Sequence, residues 1–178
     1  MVSSLRALRV AACGALLGVL CFGFAGGAMA SIVPPTDYPD VRILNGRGDA
    51  DQVAYNPVNS ARLVVGIARD AVCYVKRSTD GGKTWGRLIP LPQPSGSECS
   101  WSLPPAVAYS ADGSLLYAAY VHQKSTDVLG IQVSSSADGG LTWSAPAIVF
   151  GDFSFYDGGF FGVRLAVAPD DAWVYVAA

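Results

Sequence analysis

The carboxylates with the most defined surroundings in this sequence are Asp80 and Asp138. Each stands third in an octapeptide: Ser78-Thr79-Asp80-Gly81-Gly82-Lys83-Thr84-Trp85 recurs as Ser136-Ala137-Asp138-Gly139-Gly140-Leu141-Thr142-Trp143. A carboxylate in such a turn can accept hydrogen bonds from backbone N–H groups of its own loop. It could instead contribute to a calcium or substrate site. The spacing favours the first. Gly82 and Gly140 suit positive φ without a Cβ clash, Ser78, Thr84, Ser136 and Thr142 can tie the turn ends together, and Trp85 and Trp143 offer large apolar surfaces to bury.

Other reactive side chains are sparse. His122 is the lone histidine and has no evident cysteine, aspartate or serine constellation, so it reads as a surface residue following a strand. Cys73 and Cys99 lack Cys-x-x-Cys spacing, and a redox or metal role is the weaker reading. In an exported chain two such cysteines form a disulfide closing a loop of about 27 residues, worth roughly 3–4 kcal/mol on the chain-entropy account. Tyr156 lies in an aromatic loop where it could stack on a sugar or pack under a sheet. Arg47-Gly48-Asp49 spells an integrin tripeptide of the kind that arises by chance. No phosphate loop, zinc spacing or nucleophile elbow is present, and no cofactor or metal is expected.

Export is read from the first thirty residues. Arg6 and Arg9 precede the apolar run Val10–Phe24, Gly26 and Gly27 loosen the chain, and Ala28-Met29-Ala30 provides a small-x-small cleavage site. The run is shorter than the roughly 20 residues of a membrane span. A signal peptide over 1–30, cleaved after Ala30, is therefore expected, with a secreted, periplasmic or extracellular product and no stable membrane span. Cys13 and Cys21 leave with it. Losing two of twelve basic residues against fourteen acidic ones leaves a formal net charge of −4. Such an acidic chain, without a basic patch, offers no footprint for nucleic acid.

The elements that must position these residues come from a repeat. The octapeptides are offset by 58 residues, and Val53-Ala54-Tyr55, Val107-Ala108-Tyr109 and Val167-Ala168-Pro169 begin 54 and then 60 residues apart, each followed by a longer apolar run. Strands are predicted at 51–55, 62–68, 71–77 and 85–90, then at 105–109, 114–121, 128–135 and 143–149. The cluster Asn56-Pro57-Val58-Asn59 reads as the first turn. No helical periodicity is sustained after residue 30. Four strands recurring at this interval predict an all-β chain built from β-propeller blades. After the signal peptide come a lead-in segment at 31–50 and blades at about 51–104, 105–162 and 163–178, the last incomplete. A six-bladed ring would need roughly 330 residues at this spacing, so the reading is of an N-terminal fragment, inert by itself.

Both octapeptides match in full the Ser-x-Asp-x-Gly-x-Thr-Trp pattern of Asp-box (BNR) repeats. The chain thereby resembles the sialidase-like superfamily of propellers over nearly all of residues 40–178. The resemblance implies a six-bladed fold, and an exo-sialidase or related glycosidase acting on glycans. Sialidases of this group hold the substrate carboxylate with three arginines, which can grip it bidentately. They use a tyrosine–glutamate pair as nucleophile and an aspartate as acid/base.

Carried over by position, Val41-Arg42-Ile43-Leu44 looks like the family's Arg-Ile-Pro segment with Leu44 in place of proline. Asp70, eight residues before the first box, stands near the acid/base aspartate, and Arg164 enters the third unit near the axis. The alternative for all three is solvated loop charges. Glu98 is the only glutamate, and it lies in a loop between blades, so a Tyr–Glu pair is not evident. The same repeat also occurs in non-catalytic secreted proteins. The alternative function is thus an extracellular propeller that binds protein or glycan.

Overall fold

A computed structural model of the protein describes residues 42–44, 47–100, 103–124, 128–154 and 162–177. The expected signal peptide, its cleavage site and Tyr156 lie outside the described residues. Among those residues all regular structure is strand, and no helix is long and apolar enough to cross a membrane.

The eleven strands form three antiparallel sheets. The first is a meander of β1 (Asp49–Asn56), β2 (Asn59–Arg69), β3 (Val72–Ser78) and β4 (Ile89–Pro90). The second contains β6 (Ala106–Tyr109), β7 (Leu116–Gln123), β8 (Val128–Ser136) and β9 (Ala147–Ser154), again a meander. To it is added β5 (Glu98–Cys99), which pairs with the last two residues of β7. The third is the hairpin of β10 (Arg164–Val167) and β11 (Val174–Ala177).

Burial explains why the central strands lack a polar alternation. Val64 to Ala68 in β2 and Ala118 to His122 in β7 are buried without interruption, the pattern of strands covered on both faces. The second sheet lies between the other two. On one side Val64, Ala68, Val75 and Ile89 of the first sheet pack with Val107, Leu116, Ala118 and Tyr120. On its other side Ala106, Ala119, Val121 and Ile131 pack with Val163, beside Leu165 and Val176. The first strands of the three sheets run side by side: β6 contacts both β1 and β10.

Polar ties reinforce the stacking. Asn56, almost wholly buried, uses its Oδ1 to accept from the N–H groups of Val58 and Asn59, both at 3.0 Å. Its Nδ2 donates to the carbonyl of Gly113 in the next sheet at 2.8 Å. Ala111 N–H in turn donates to Asp171 of the third sheet at 2.6 Å. The turns after the first strands are thus linked sheet to sheet. The buried Tyr120 hydroxyl donates to the Pro92 carbonyl and meets Ser134 Oγ at 2.9 Å, and burial pushes its pKa up to about 12. Asn56→Ala strips three hydrogen bonds from a buried corner. It is expected to cost about 2–3 kcal/mol, measurable by urea denaturation.

Three predicted features differ. The fourth strands begin later than expected, at Ile89 and Ala147 instead of Trp85 and Trp143, because Gly86 N–H and Ser144 N–H each make one bond to the preceding strand before the chain diverges. Glu98 lies in a short strand, not a loop. His122 is no surface residue. It is fully buried within β7, its ring lying over Gly130, where an added Cβ would come within 3.2 Å of ring atom Nδ1 and closer still to two others.

Candidate functional site

The two box turns are built alike. Ser78 Oγ donates to Asp80 Oδ1 at 2.7 Å and accepts from Gly82 N–H at 2.8 Å. Thr84 donates its N–H to Oδ1 at 2.9 Å and its hydroxyl to Oδ2 at 2.6 Å. Ser136, Asp138, Gly140 and Thr142 repeat every one of these bonds, at 2.8, 2.8, 2.9 and 2.6 Å. Gly82 and Gly140 have φ of 88° and 91°, the left-handed region that favours glycine. The Thr84 hydroxyl and N–H hold the Asp80 carboxyl down at about 2, and the Thr142 hydroxyl depresses Asp138 in the same way. Each carboxylate is thus occupied by its own turn. Among the described residues no group of three or more His, Cys, Asp or Glu could hold a metal ion. Trp85 and Trp143 are half-buried, with Trp143 packed against the core between the first two sheets.

The box turns follow β3 and β8, where those strands pair with Leu63 and Leu116. Asp70 is at the opposite end of the first sheet, in the two-residue turn between Arg69 and Val72. Its side chain is 77% exposed and pairs with Arg69 at 3.0 Å. Both turn residues have positive φ, 50° for Asp70 and 60° for Ala71, the geometry of a tight hairpin turn that usually takes Asn-Gly. Ala71 is the costly one, since alanine has no local hydrogen bond to offset the crowding of its Cβ. The turn is clamped: the Ala71 carbonyl accepts from Cys99 N–H at 2.9 Å, and Cys73 and Cys99 form the expected disulfide, Cα atoms 5.2 Å apart, joining the first sheet to the second. Ala71→Gly is expected to raise stability by about 0.5–1 kcal/mol in a thermal melt, leaving the Asp70 turn in place.

Arg164 begins β10 opposite Ala177, at the equivalent end of the third sheet, where it is exposed and donates to the Val163 carbonyl at 3.1 Å. Glu98 and His122 belong to this end of the second sheet, through the pairs Glu98–Gln123 and Cys99–His122. Asp70 and Arg164 therefore share an end of the stacked sheets. Arg42 is exposed, and the segment after it is tied to the first sheet. The Ile43 carbonyl accepts from Lys76 Nζ at 2.7 Å, on the face of the first sheet turned away from the second. Sequence reasoning missed the clamp on Ala71 and the approach of β5 to this end, and a two-residue strand leaves no periodic signal.

The chain matches no family model and no curated protein.

Proposed function

We propose that the three sheets are successive blades of a sialidase-like Asp-box β-propeller, acting on or binding glycans at the end that carries Asp70 and Arg164. The observation that supports this is the identical hydrogen bonding of the two box turns on consecutive, face-packed sheets. Asp70, exposed on a strained and clamped turn, is the candidate acid/base. Arg164 and Arg42 are the candidate carboxylate-binding guanidiniums. Backbone strain retained at an exposed carboxylate is a feature that clusters at functional sites. The interior disulfide is compatible with export to an oxidising compartment.

A second reading, a non-catalytic extracellular propeller that binds protein or glycan, is favoured by the single glutamate. Glu98 is the only glutamate in the sequence, and a sialidase's tyrosine nucleophile relies on a glutamate partner to activate its hydroxyl. The test is to titrate a sialoside into the chain and assay free sialic acid in the same samples. Saturable binding, weakened about tenfold or more in Arg164→Gln and without sugar release, is expected. No binding at millimolar sialoside would remove the glycan-directed reading and leave a protein-binding propeller.

A further inference from the structure

The late start of β4 opens a groove at the box end of the sheets, away from Asp70. Between Trp85 and Ile89 the chain leaves β3 after the single bond from Gly86 N–H to the Arg77 carbonyl at 2.8 Å. The gap, of about 300 Å³, is lined by Arg77, Thr79, Trp85, Arg87, Ile89 and, from the second box, Leu141. It continues past Arg87 and Leu141 into a hollow of about 360 Å³ walled by Pro92 and Trp143.

The charge in this groove is unbalanced. No carboxylate lines either part, and neither Arg77 nor Arg87 is in an ion pair with any described residue. Arg77 and Arg87 thus face the groove without a counter-ion, in an acidic protein. Arg77 is held across the second box by the absence of two Cβ atoms: its Nη2 and Cδ lie 3.4 and 3.5 Å from where those of Gly139 and Gly140 would stand. The indole N–H of Trp143, in the second hollow, has no acceptor. Leu141 is 52% exposed at the rim, so the site combines two guanidiniums, indole surface and an open apolar wall.

We infer that this groove is a binding site for an anionic saccharide, Arg77 and Arg87 taking its carboxylate or sulfate and Trp85 stacking on a pyranose face. Guanidinium is the side chain best matched to planar anions, through paired N–H bonds. Indole supplies the flat apolar partner for the carbon–hydrogen face of a sugar. The site is independent of the Asp70 end, and neither arginine belongs to that set.

The test is calorimetric titration of the full chain with tetragalacturonate, with its fully methyl-esterified form, and with tetraglutamate. Tetragalacturonate is expected to bind saturably and to alter tryptophan fluorescence. The esterified form, which lacks only the charge, and the variant Arg87→Gln should each bind about tenfold more weakly or less. Arg87 is exposed, so its replacement leaves the fold intact, which circular dichroism verifies. Arg164→Gln should bind as the parent does. Failure of tetragalacturonate to bind at millimolar concentration, equal binding of the esterified form, undiminished binding by Arg87→Gln, or equal or tighter binding of tetraglutamate would each overturn the assignment.

Discussion

Gly66→Ala is expected to cost upwards of about 3 kcal/mol and to leave much of the chain unfolded at room temperature, the upper end for an overpacked core. Gly66 is in the middle of β2, on the face turned toward the second sheet. A Cβ there would lie 2.8 Å from the carbonyl carbon of Pro105 and 3.0 Å from its Cβ, and closer still to the carbonyl oxygen. That obstacle is backbone, so no side-chain rotation relieves it. Local propensity alone would give the opposite sign, since alanine in a strand interior outperforms glycine by roughly 0.5–1 kcal/mol. Gly151→Ala is the control: among the described residues no atom beyond its chain neighbours lies within 4 Å of its added Cβ, and its melting midpoint should stay at or above that of the parent. A Gly66→Ala protein that melts with the parent would mean that the first two sheets do not approach as described.

Removing the disulfide is the second large effect. Cys73 and Cys99 are separated by 26 residues, and loss of that closure raises the entropy of the unfolded chain by roughly 3–4 kcal/mol at 25 °C. Cys73→Ala/Cys99→Ala adds little cavity cost because the lost atoms are small. The folded geometry is also backed by the Cys99–Ala71 backbone bond. The double variant should therefore fold to the same sheets with its unfolding free energy, read from the denaturant midpoint and slope, lowered by about that amount. Both sulfurs are buried, at 0% and 3% exposure, so reductant alone should act slowly on the native parent and rapidly once denaturant is added. A parent whose midpoint is indifferent to reductant in denaturant would show that the bridge contributes nothing.

The parts legible in the sequence were those governed by neighbours along the chain. Each of the eight predicted strands has an observed counterpart, because apolar runs and turn residues act locally. The box turns follow from Ser, Asp, Gly and Thr at spacings that let one carboxylate reach its own backbone. The Cys73–Cys99 pair was the expected one, and the two sheets bring it together. What stayed hidden depends on register and stacking. His122 reads as an exposed polar residue until β8 brings Gly130 opposite it, and the missing Cβ gives the ring its place. Asn56 reads as a turn residue, yet its amide crosses to Gly113, 57 positions on. The two-residue β5 and the delayed β4 are set by the disulfide crossing and by divergence after Gly86, neither of which has a periodic trace. Arg42 and Arg164 came from resemblance alone.

The turn-to-turn bonds have a direction, and it bears on synthesis. Asn56 Nδ2 and the N–H of Ala111 are donors supplied by the earlier sheet, and Gly113 and Asp171 are acceptors supplied by the later one, 57 and 60 residues downstream. At roughly 5–20 residues per second a ribosome delivers each acceptor about 3–12 s after its donor. The first and second sheets therefore each wait for seconds with one apolar face and one donor uncovered. In that interval no neighbouring sheet keeps either from pairing with another chain.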